Sequence, residues 1–132
     1  MRDIHVEKNA SKYLEVGYEE AKMLLSNPDK MSRFLSRMEK KLEELPEGEP
    51  RVAGIPILAS LLKSYVEGSF TDCRKESMLA VVSALYYVVS PFDLIPDRKS
   101  DGYDDDGAIA DAARDVAAED IEKFLSWQKT KM

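Results

Sequence analysis

Apolar residues recur along this chain at spacings of three, four and seven, and no stretch alternates as a half-buried strand would. The pattern predicts helices throughout. The first runs from about Lys8 to Ser26, with Leu14, Tyr18, Ala21, Met23, Leu24 and Leu25 as its apolar surface. Asn27-Pro28 reads as a boundary, because asparagine caps well and proline suits the first helical position. A second helix follows to about Leu45, striped by Met31, Phe34, Leu35, Met38, Leu42 and Leu45. The prolines, glycine and charges between Leu45 and Pro50 predict a loop. A third helix starts near Pro56 and stops at Gly68, using Ile57, Leu58, Leu61, Leu62, Tyr65 and Val66.

Thr71 or Asp72 is expected to cap the fourth helix, which is apolar on every side from Met78 to Val89 and so belongs at the centre of a core. The last helix begins between Asp101 and Asp104 and continues to about Gln128. Its stripe is Ile109, Ala112, Ala113, Val116, Ala117, Ile121, Phe124 and Trp127 or Gln128. The expected fold is an all-α single domain over 1–132, about five main helices packed around 78–89.

Composition narrows the class. A hydrophobic fraction of 44% in 132 residues fits one folded domain. A net charge of −6 disfavours non-specific binding to nucleic acid. The one cysteine, Cys73, excludes an internal disulfide and any cysteine-based metal framework, which suits a reducing cytoplasm. The first twenty residues are charged and carry no apolar block of the export-signal kind. Met78 to Val89 falls short of the ~20 residues that span a bilayer. A cytoplasmic protein without a transmembrane segment is expected.

The apolar fourth helix runs into Ser90-Pro91-Phe92-Asp93-Leu94-Ile95-Pro96-Asp97, followed by Gly102-Tyr103-Asp104-Asp105-Asp106. Carboxylates beside an apolar core cost free energy unless each has a partner. Ser90, Pro91 and Asp93 fit a capping box, with serine at the cap, proline at the first helical position and an acid three residues after the serine. Asp97 lies in a connector beside Arg98 and Lys99, free to cap a turn or pair with a cation. Asp101 to Asp104 repeats the cap spacing, and acids there suit the positive end of a helix dipole.

At ~100° per residue the three consecutive aspartates separate. Asp104 shares a side with Asp111 and Asp115, and Asp105 lies at the stripe edge. Asp106 falls in the stripe with Ile109, Ala113 and Phe124, provided the helix already includes Asp104. Its simpler role is a buried lock fastened by loop amides. Its sharper role is as a ligand, with Asp93, Asp97 and Asp105, of magnesium or calcium, which take oxygen donors. The calcium-loop pattern does not fit around Gly107.

At these residues the chain resembles the YkvA family, a bacterial domain of unknown function. The resemblance rests on Leu85-Tyr86-Tyr87, the full Ser90–Asp97 motif and the Gly102–Asp106 segment. It extends to the lysine-rich second helix, Ile55-Pro56-Ile57 and Phe124-Leu125-Ser126-Trp127-Gln128. It implies a helical fold and a shared core, and no activity, substrate or cofactor. The chain departs from the family between the two aspartate motifs. Members commonly have an apolar linker there, where Arg98-Lys99-Ser100-Asp101 stands here, so no membrane contact through that linker is implied.

Other chemistry is sparse. His5 is the lone histidine, near the N-terminus, and supports no triad. Cys73, beside Arg74 and Lys75 near a helix start, is placed where a thiol pKa can fall, but it lacks a base; an ordinary solvent-side cysteine is the simpler reading. Paired carboxylates serve glycoside hydrolysis only with a sugar-binding cleft, which a small bundle seldom offers. Tyr86, Tyr87 and Tyr103 are candidates to bond the aspartates while packing in the core. Lys30, Arg33, Arg37, Lys40 and Lys41 give the second helix a basic side, interrupted by Glu39, Glu43 and Glu44. The leading expectation is a non-catalytic module that binds a protein partner or itself, with the aspartates as a structural joint. The alternatives are a magnesium- or calcium-dependent hydrolase, a peripheral membrane protein using the basic helix, and an acidic inhibitor of a basic toxin or nuclease.

Overall fold

A computed structural model describes residues 10–90 and 103–131, with side chains placed for 12–50, 52–90 and 107–131. The described residues form α1 (Ala10–Val16), α2 (Tyr18–Ser26), α3 (Pro28–Glu44), a 3-10 turn (Pro50–Val52), α4 (Ile55–Glu67), α5 (Lys75–Val89), α6 (Tyr103–Val116) and α7 (Ala118–Thr130), with no strand among them. The fold is an all-α bundle.

The most apolar stretch forms its axis, as expected. Eleven of the fifteen residues of α5 are buried, from Ser77 to Val88. A helix with no polar face is stable in water only when surrounded, and α1, α2, α3, α4 and α6 all pack on it. On α3 the striped positions Met31, Phe34 and Met38 are buried. Leu35, Leu42 and Leu45 pack on the core from its margin. Asn27 caps α3 as the sequence predicts, its side chain accepting from the Lys30 amide at 3.1 Å with proline in the first turn.

The number of helices differs from the expected five because the first and last are each broken. Gly17 separates α1 from α2, and its amide turns back to the Leu14 carbonyl at 3.1 Å. The buried Ser83 hydroxyl on α5 donates to that same carbonyl. Ala117 separates α6 from α7, and there Arg74 Nη2 donates to the Val116 carbonyl at 3.1 Å. Helix ends leave carbonyls unpaired, so polar groups from the central helix and its start seal both breaks.

Met23, Val66 and Val116, each expected on an apolar face, are substantially exposed. Helix α4 ends at Gly68, which has φ +83° and caps the Ser64 and Tyr65 carbonyls. Gly68→Ala should cost about 1 kcal/mol in urea melts, because the left-handed conformation alone penalises a side chain and nothing else is within reach.

Candidate functional site

The expected cap of α5 is corrected by the structure. Neither Thr71 nor Asp72 holds its N-terminus: Arg74 occupies the cap position, and no cap bond comes from its own side chain. The cap arrives from α7. Asp120 Oδ2 accepts from the Arg74 amide at 3.2 Å and from Arg74 Nε at 3.3 Å. The other carboxylate oxygen, Oδ1, is buried without a hydrogen-bond partner among the described residues. Lys123 Nζ stands 3.7 Å from Oδ1. The Asp120 side chain is 1% exposed while Arg74 is 51% exposed, so the anion is buried and its counter-charge reaches water.

Asp120 lies in the first turn of α7 and at the first turn of α5, where two helix dipoles both favour a negative charge. Burial pushes its pKa up. The nearby Ser77 hydroxyl, the bonds from the Arg74 amide and guanidinium, and the Arg74 charge outweigh burial and hold the carboxyl below its usual value. Arg74 Nη2 also reaches Ser77 Oγ at 3.4 Å. The result is a clasp that ties the end of the fold to the start of its central helix.

The residues singled out in the sequence are placed as follows. Ser90 is the C-cap of α5, and its hydroxyl accepts from the Arg37 guanidinium of α3. Pro91, Asp93 and Asp97 lie outside the described residues, as does His5. Tyr103, Asp105 and Asp106 fall in the first turn of α6, so the helix includes Asp104, but their side chains lie outside the described ones. Asp106 shares helical phase with Ile109, Ala110 and Ala113, all buried. The phase does not carry on to Phe124, because Ala117 breaks the helix. Tyr87 is fully buried, and Tyr86 is half-buried, stacked on Phe34 at 6.1 Å. Among the described residues no group of three or more histidine, cysteine or acidic side chains is arranged to hold a metal ion.

Cys73 is half-buried rather than on the solvent side, and the expected route to a low thiol pKa fails. Burial and the Asp120 and Asp72 charges push it up to about 11 against the opposing pull of Lys123. Alkylation of this thiol by iodoacetamide at neutral pH should run roughly a hundredfold slower than that of a free cysteine. An equal rate would contradict the placement.

The basic side of α3 is the other polar feature. Lys30, Arg33 and Arg37 line a cleft of about 190 Å³ with Glu20, Phe34 and Tyr86. Several other cations are paired: Lys41 with Glu44, Lys63 with Glu39 at 2.7 Å, Lys22 with Glu19, and Arg114 with Asp111. No family profile, curated protein or solved structure matches the chain. No described helix is long and apolar enough to cross a membrane.

Proposed function

We propose that this chain is a non-enzymatic helical domain that acts by binding a protein partner or a second copy of itself. The observation that supports this reading is the destination of its buried polar groups. Of Ser77, Ser83 and Asp120, the buried polar side chains among the described residues, Ser83 and Asp120 join helices to one another, and Ser77 accepts from the Arg74 guanidinium at the start of α5. The other described charged side chains of the helices are exposed or half-buried, where a partner can reach them. The aspartates of the Ser90–Asp97 and Gly102–Asp106 motifs are assigned the same structural work. The full eight-residue motif supports membership of the YkvA family, and the lone thiol supports a reducing, cytoplasmic setting.

The test is affinity capture from native lysate on the folded chain, with untagged chain as competitor, run beside light scattering over a range of concentrations. The expected result is a stoichiometric partner that the competitor displaces, or a dimer that grows with concentration. A chain that stays monomeric and retains nothing competable contradicts the proposal.

A further inference from the structure

The cleft on α3 goes beyond that reading, since it would serve a binding module and an enzyme alike. Lys30, Arg33 and Arg37 stand at i, i+3 and i+7, and so share one side of the helix. None of the three has an ion-pair partner among the described residues, in a chain that carries 25 acidic residues against 19 basic ones. The Lys30 ammonium reaches only the Met23 thioether, at 3.6 Å. Arg37 is held in place by the Ser90 hydroxyl. Three like charges lining one cleft repel one another, and a bound anion relieves that repulsion.

The walls narrow the class of anion. Phe34, 2% exposed, and Tyr86 stack with planes 23° apart and give the cleft a fixed apolar side, against which charge is poorly screened. Glu20 also lines the cleft and reduces the local charge from three positive to two. That balance matches a dianion. Guanidinium forks bind phosphate oxygens in pairs. The volume admits a phosphoryl group and little more, being smaller than the ~300 Å³ at which small-molecule pockets begin. We propose that this cleft between α2, α3 and the end of α5 binds a dianionic phosphate group, through Arg33 and Arg37 with Lys30.

Such a group has two sources, a free phosphate compound or the headgroup of a phosphatidic-acid-type lipid, and the experiment separates them. One arm titrates the full chain with inorganic phosphate at constant ionic strength, following Arg Nε–Hε and Tyr86 signals by NMR. The other measures flotation with phosphatidylcholine vesicles, with and without phosphatidic acid. Saturable shifts at Arg33, Arg37 and Tyr86 are expected, and Arg33→Gln should weaken binding about tenfold or more. Lys40→Gln removes the same charge outside the cleft and should change binding by less than about twofold. Arg33 makes no described bond, so its variant should melt as the parent does; Arg37→Gln gives a second reading of the same site. Phosphate binding without flotation assigns the free compound, and flotation lost in Arg33→Gln assigns the lipid. Absence of binding in both arms, or equal loss in Lys40→Gln and Arg33→Gln, overturns the proposal.

Discussion

Asp120→Ala should destabilise the fold by about 3 kcal/mol. The substitution removes the cap of α5, a loss of about 1 kcal/mol, and the charge-assisted bonds from Arg74, about 1.5–3 kcal/mol in buried settings. The half-exposed guanidinium returns to water, which keeps the loss below that of a pair buried on both sides. Asp120→Asn keeps an oxygen acceptor for the Arg74 amide and should cost only about 1 kcal/mol. Urea midpoints measure both, and equal losses for the two variants would contradict a capping role. The pH dependence has a definite sign. The folded-state pKa of Asp120 is depressed, so the unfolded chain binds its proton more tightly. Its contribution is complete above the unfolded value of about 4 and is lost as pH falls through the lower folded value. The gap between parent and Asp120→Asn should therefore stay level from about pH 5 to 8 and close under acid.

Phe124→Ala should cost more, about 3–5 kcal/mol, roughly a fifth or more of the 5–15 kcal/mol typical of a domain. Phe124 is fully buried against Phe70 at 5.4 Å, edge to face, and against Trp127 at 5.9 Å. Phe70 and Trp127 meet each other at 5.3 Å, so the three rings close on one another. Removing the middle ring leaves a cavity its rigid neighbours cannot fill. Trp127 is the chain's single tryptophan, and its fluorescence reports the loss directly. A midpoint shift equivalent to less than about 1 kcal/mol would mean that α7 does not dock as described.

Helix identity was legible in the sequence wherever periodicity was strong. The Asn27-Pro28 boundary, the stripe of α3, the end of α4 at Gly68 and the burial of α5 all follow from local chemistry. The breaks at Gly17 and Ala117 were not legible, because each is sealed by a residue distant in sequence: Ser83 for one and Arg74 for the other. The signal for the first was a serine inside an otherwise apolar helix. Asp120 was missed for a related reason. It stands beside Glu119 in the first turn of a helix, where acids ordinarily face water, and only the docking of α7 on the start of α5 buries it. Thr71 and Asp72 carry better local capping chemistry than Arg74, yet the tertiary partner decides where α5 starts. Of the aspartate motif, helical phase at Asp106 agrees with a helix starting at Tyr103, and Ser90 is tied to Arg37.

The central claim is that the carboxylates of this chain hold helices rather than ions. Thermal melts of the full chain in millimolar magnesium, in millimolar calcium and in EDTA test it most directly. A structural joint predicts the same midpoint in all three. A site holding metal at a hundredfold excess over its dissociation constant would add about 2.7 kcal/mol, raising the midpoint by roughly 5–10 °C. A saturable rise of that size, reversed by EDTA, would contradict the account.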